Sequence, residues 1–175
     1  SLSSQTEGPD AVKPELPFVE RRAVICIIKH WSEDKYLMSF YKANDWKGFI
    51  VGGLEGDETP ASAGAREIHE ETGYTSARFV RNIGKLHSKF YHQVKSVNRF
   101  AHFEIAYFEL TDGKRDEVSE EEKKLHDVVW LSPQEVAAAA NRADIIRAWD
   151  FFTRGTCYTG EGLLVDSGSF TGKES

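Results

Sequence analysis

Three glutamates fall within five residues in the stretch "REIHEETGY", at Glu67, Glu70 and Glu71, directly after Arg66. At spacings of three and four, side chains share one side of a helix, and like charges there oppose helix formation by roughly 0.2–0.5 kcal/mol per pair. They also lie toward the C-terminal, electronegative end of the segment, which adds to the penalty. A cation held among them would relieve both effects. Carboxylate oxygens are hard ligands that favour Mg²⁺ or Mn²⁺ over zinc. Magnesium keeps several waters and binds best when substrate phosphates complete its shell, so a phosphate-containing substrate follows. Taken alone, "EIHEE" reads better as a solvated helix face than as a metal site.

The helix that must carry these groups is marked at both ends. Thr59 is a good N-cap, Pro60 suits the first helical position, and Gly73 is placed to close the C-terminus in a left-handed conformation. Ala61, Ala65, Ile68 and Thr72 recur at helical spacing and predict a narrow small-residue face packed on a sheet, opposite the glutamates.

The wider spacing decides between the two readings. Gly52 is followed after five residues by Glu58, and Glu58 after seven by Arg66, Glu67, Ile68, Glu70, Glu71 and Gly73. This resembles the Nudix box, Gly-x5-Glu-x7-Arg-Glu-U-x-Glu-Glu-x-Gly-U with U bulky and aliphatic; only the last position departs, as Tyr74. The resemblance runs from about Phe18 to Arg154. It implies an α/β fold, a Nudix α/β/α sandwich with a mixed β-sheet, and hydrolysis of a nucleoside diphosphate linked to another group. It further implies that Glu70 and Glu71 are metal ligands and that Glu67 is a metal ligand or the catalytic base. Arg66 would orient the glutamates, the Gly52 carbonyl would face a metal, and Glu58 would hold the loop to the helix.

Other elements frame this helix. "FVERRAVICIIKHW" and "KYLMSFYK" read as paired strands across a polar turn at Ser32–Asp34, and "WKGFIVGG" as extended chain. "ARFVRNIGKLHSKFYHQV", "NRFAHFEIAYFEL" and "VVWLS" read as further strands, and "TDGKRDEVSEEEKKLHD" as a charged connection. Ser132, Pro133 and Glu135 form a capping-box start to a late helix, followed by a second helical stretch, "ADIIRAWDFFTR". Strands around one strongly capped helix, with late helices, predict a mixed sheet covered on both faces.

Substrate choice must come from outside the box. His87 and Phe90, with Lys89, Tyr91 and His92, mix cationic and aromatic groups that could stack a base and hold a phosphate; an ordinary strand with an aromatic core face is the alternative. On the next strand Arg99 lies on one face, while His102 and Glu104 lie on the other. Glu104 amid apolar neighbours is a candidate extra metal ligand, or a core carboxylate paired with His102 or Arg99. Glu117, Glu120, Glu121 and Glu122 are candidates for a further loop carboxylate, without a spacing rule to choose among them.

The chain has 175 residues, 40% of them apolar, and a net charge of −6. This suits one domain at 18–154, with a flexible leader at 1–17 and an extended tail at 155–175. Two cysteines far apart, Cys26 and Cys157, give no disulfide framework and point to a reducing, cytoplasmic setting. No apolar run is long enough to span a membrane, and the acidity argues against a broad nucleic-acid surface. An exposed apolar patch at Ile145–Phe152 would offer a homodimer surface. The tail "CYTGEGLLVDSGSFTGKES" is a separate matter. Its Tyr158, Thr159, Gly162, Leu164, Ser167, Gly168, Phe170 and Gly172 resemble the segment closing the editing domain of leucyl-tRNA synthetases, with Asp166 where Asn is usual. That resemblance implies a Nudix module of a synthetase-like protein, with tRNA as a partner only in that setting.

Overall fold

A computed structural model describes residues 11–155 and the backbone of residues 163–166. Strand β1 (Phe18–Lys29) is the centre of the fold. Its run Ala23–Ile28 alternates between two cores: Ala23, Ile25 and Ile27 face one way, and Val24, Cys26 and Ile28 the other. A strand buried on both faces needs a continuous apolar run rather than an alternating one, which is why "AVICII" carries no polar residue.

Strands β2 (Tyr36–Tyr41), β3 (Lys47–Gly48), β4 (Ile50–Gly53), β5 (Ala77–His92), β6 (Val97–Leu110), β7 (His126–Leu131) and β8 (Leu163–Asp166) complete one mixed sheet. Its order is β3-β2-β1-β6-β5-β8, with β4 paired to β1 and β7 to β2. The β1–β6 and β5–β8 pairs are parallel; β5 and β6 form a long antiparallel hairpin. "WKGFIVGG" therefore divides, its first part pairing with β2 and its second with β1.

Helix α1 (Pro60–Thr72) covers one face of the sheet. Its capping follows the sequence closely: Thr59 accepts from the Ser62 amide, and Gly73 closes the helix at φ 82°, a left-handed value that disfavours a side chain. The buried side is rotated from the expected one. Ala63, Gly64, Ile68, Glu71 and Thr72 are buried, so Glu71 shares the interior side with Ile68 instead of opposing it.

Helices α3 (Pro133–Ala139) and α4 (Ala143–Arg154) cover the opposite face. In α4, Ile145, Ala148, Trp149 and Phe151 are buried against the sheet, and Trp149 packs edge-on to Tyr36. The exposed dimer patch expected at Ile145–Phe152 is thus corrected: most of that stripe belongs to the core. The charged connection contains a short helix, α2 (Glu120–Leu125), started by Ser119 accepting from the Glu122 amide. Its acidic first turn and basic last turn both suit the helix dipole. Lys13 and Leu16, in the expected leader, are tied down by Asn98, whose Nδ2 donates to both their carbonyls.

Candidate active site

The loop between β4 and α1 is organised by Arg66. Its Nε and Nη2 donate to the two Glu58 carboxylate oxygens, each at 2.9 Å, a fork-to-fork pair. Nη2 also donates to the Gly53 carbonyl at 3.0 Å. Nη1 reaches Glu67 at 2.9 Å and Glu70 at 3.3 Å. Glu58 in turn accepts from the Glu55 amide at 2.8 Å, which closes the loop on itself. The Arg66 guanidinium and that amide hold the Glu58 carboxyl down at about 2. Arg66 is pushed upward, chiefly by its bond to Glu58. One guanidinium therefore fixes the loop and aims two of the three helix carboxylates.

Two glycines let the strand approach these groups. A Cβ on Gly52 would collide with the Glu67 side chain, and one on Gly53 with the Arg21 guanidinium. Arg21, overlooked in the sequence because it reads as an ordinary polar strand residue, fills the space that Gly53 leaves.

Glu71 is different in kind. It is 9% exposed, and its Oε2 is buried without a hydrogen-bond partner. Burial, the adjacent Glu67, and the charges of Glu122 and Glu70 push its carboxyl well above the usual range. A buried acceptor without a donor costs about 1–3 kcal/mol. Such an oxygen among carboxylates is what a hard divalent cation would satisfy, so this donor set fits Mg²⁺ or Mn²⁺.

Glu71 opens onto a cleft of about 220 Å³ between α1 and β7, lined also by Arg115, Glu122 and His126. The Arg115 guanidinium donates to the Thr72 carbonyl at the end of α1 and stacks over Tyr74. Tyr74, the one departure from the box pattern, is 5% exposed, and its hydroxyl accepts from Trp130 Nε1, a packing role. Glu122 is thus the member of the acidic run that the fold brings to Glu71. His126 was not anticipated at all.

The remaining sequence candidates lie apart from the box. His87 and His102 meet through their Nδ1 atoms at 2.7 Å, and His102 Nε2 contacts Glu20 at 2.7 Å. Phe90 is 7% exposed and belongs to the core on the α4 side. Arg99 is 8% exposed and shifted downward by burial and by the nearby Arg21. Glu104 is half-buried and in register with Val24, itself in register with Gly52, which places it two strands from the box loop. Among the described residues it forms no ion pair with His102 or Arg99; Glu20 is the carboxylate that pairs with His102.

The NUDIX domain family model matches residues 19–150. The chain belongs to the Nudix family. Its reaction class is that of a Nudix pyrophosphohydrolase. A NUDIX hydrolase from Nitrosomonas europaea is 19% identical with a TM-score of 0.55, over 80% of this chain and 93% of that one. The E. coli dihydroneopterin triphosphate pyrophosphohydrolase is 15% identical with a TM-score of 0.57, over 79% and 99% of the two chains. A C. elegans Ap4A hydrolase is 14% identical with a TM-score of 0.55, over 76% and 96%. At these identities the likeness shows the shared Nudix fold. No curated protein sequence matches the chain. The synthetase-like segment Tyr158–Gly172 falls outside the family match and, except for the backbone of 163–166, outside the described residues. No helix among the described residues is long and apolar enough to cross a membrane.

Proposed function

We propose that this Nudix protein cleaves the pyrophosphate bond of a nucleotide-like diphosphate in a reaction that requires Mg²⁺ or Mn²⁺. The observation that carries this reading is the buried, partnerless Glu71 Oε2 beside Glu67 and Glu70, a carboxylate group that opposes folding unless it holds a cation. Glu67, Glu70 and Glu71, with the Gly52 carbonyl, would hold the ion. When bound, it supplies charge neutralisation of the diphosphate and acidification of a water.

The chain's own residues do the rest. Glu67 takes the proton from the attacking water, placed for that role by the Arg66 Nη1 bond and by the close approach of Gly52. Arg66 spreads its donors over Glu58, Glu67 and Glu70, so it keeps the base aimed while lowering the repulsion between carboxylates. Glu58 anchors that guanidinium and does no chemistry. His87, His102, Arg99 and Glu104 are the proposed substrate-side residues, with the Arg99–Arg21 pair supplying positive charge near the Gly53 side of the loop, while Phe90 packs in the core beneath them.

The structures of the dihydroneopterin triphosphate and Ap4A hydrolases support a phosphate-anhydride substrate without choosing one. Neither the family match nor the three relatives above is a synthetase, so the hydrolase reading is preferred to a tRNA-binding module. The test is a phosphate-release screen over nucleoside triphosphates, nucleotide sugars and dinucleoside polyphosphates, with and without Mg²⁺. Turnover that requires metal with at least one of these is expected. Silence across the panel from folded protein that binds Mg²⁺ would overturn the reading.

A further inference from the structure

His126 is the first residue of β7, 4% exposed, and held from both sides. Its Nδ1 meets Ser39 Oγ at 2.6 Å, and its Nε2 meets Glu122 Oε2 at 3.1 Å. The Tyr41 ring lies 5.4 Å away, centroid to centroid, and limits rotation of the imidazole. With Nδ1–H donating to Ser39, the Nε2 lone pair points toward Glu122 and the cleft. The partnerless Glu71 Oε2 lines the same cleft. Donor atoms of Glu71, Glu122 and His126 all lie within 4.8 Å of one another.

These distances suit a six-coordinate ion. Metal–ligand bonds of about 2.1 Å put adjacent ligands roughly 3 Å apart and opposite ones roughly 4.2 Å apart. The 3.1 Å His126–Glu122 spacing matches an adjacent pair. A histidine whose second nitrogen is fixed by a hydrogen bond is also the usual arrangement for a ligating imidazole.

We propose that His126, positioned by Ser39, supplies a nitrogen ligand to a divalent ion that Glu71 and Glu122 hold, so that this protein prefers a first-row transition ion over Mg²⁺. The chemistry follows from the donor set: carboxylate oxygens alone suit Mg²⁺, and an imidazole nitrogen adds affinity for Mn²⁺, Co²⁺ or Zn²⁺ with little gain for Mg²⁺. The inference rests on the metal reading of the same helix and extends it to residues outside the box.

The test uses the full chain loaded with Mn²⁺ and pulsed electron paramagnetic resonance, which detects a coordinated imidazole through its ¹⁴N coupling. The coupling is expected in the parent protein and lost in His126→Gln. By calorimetric titration, Mn²⁺ affinity should fall about 10–100-fold in Ser39→Ala, which keeps the imidazole and removes its anchor. Mg²⁺ affinity should change only a few-fold. Ser39→Ala also keeps the test open if His126→Gln fails to fold. Absence of ¹⁴N coupling in the parent protein, or its persistence in His126→Gln, would overturn the inference. So would equal losses of Mn²⁺ and Mg²⁺ affinity in Ser39→Ala. Hydrolysis without nitrogen coupling would overturn this inference alone; nitrogen coupling without hydrolysis of any substrate would overturn the proposed function alone.

Discussion

Glu71→Gln should stabilise the metal-free protein. In the parent chain the Glu71 Oε2 atom is buried with no partner, and the carboxyl lies against Glu67 with Glu70 and Glu122 nearby. Glutamine keeps the shape, removes a charge that cannot be solvated there, and offers an amide donor to Glu67. Relief of one buried unsatisfied acceptor is worth about 1–3 kcal/mol. For a chain of this size, each kcal/mol moves the midpoint by about 2–4 °C, so the expected rise is roughly 2–12 °C. The sign with pH follows from the upward shift of the Glu71 carboxyl. The folded protein holds that proton more tightly than the unfolded chain does, so its contribution is present at acid pH and lost as pH rises. The gap between variant and parent should therefore widen from mildly acid to alkaline pH. The assay is thermal unfolding in EDTA at several pH values, repeated with saturating Mn²⁺. Metal should stabilise the parent by about 2.7 kcal/mol at a hundredfold excess over Kd, and should barely move the variant. A variant less stable than the parent in EDTA at pH 8 would refute the claim that this carboxylate opposes folding.

Three further outcomes follow. Arg66→Lys loses the forked bond to Glu58 and the reach to Glu67, Glu70 and Gly53, and should lower turnover about 10–100-fold in steady-state assays with saturating metal. Glu58, held at about 2 in the folded state, contributes stability that is present above pH 4.5 and lost as pH falls toward 2; acid-unfolding curves of parent and Glu58→Gln should converge through that window. Ile68→Ala, at a fully buried position between α1 and the sheet, should lower stability by about 2–5 kcal/mol in urea unfolding.

Where the sequence could be read, the signals were local. Thr59, Pro60 and Gly73 fix α1 because caps and backbone conformation act within a few residues. The "AVICII" run and the alternation in β6 give strands because burial imposes a period that a short window reveals. The box spacing likewise brought Glu58, Arg66 and the three glutamates together, since loop and helix are contiguous. What was hidden depends on pairings far apart in the chain. Glu122 stands out from Glu117, Glu120 and Glu121 only because α2 returns the chain to β7, where His126 pairs opposite Tyr41. His126 alone is one strand residue among many, and its Ser39 partner is 87 positions away. The burial of Glu71 was legible and missed: Ile68, expected on the sheet side, lies three positions before it, a spacing that puts both on one side of the helix. The α4 stripe looked like a surface although both sheet faces were expected to carry helices, because nothing within "ADIIRAWDFFTR" says which helix covers the second face.

The most direct measurement is metal-dependent phosphate release by the parent protein and by Glu70→Gln. Glu70 is 53% exposed, so its replacement should leave the fold intact while removing a proposed ligand. The account predicts turnover by the parent that requires Mg²⁺ or Mn²⁺, and its near loss in a Glu70→Gln protein with an unchanged circular dichroism spectrum and melting curve. Parent-like turnover by Glu70→Gln across the metal titration would contradict it.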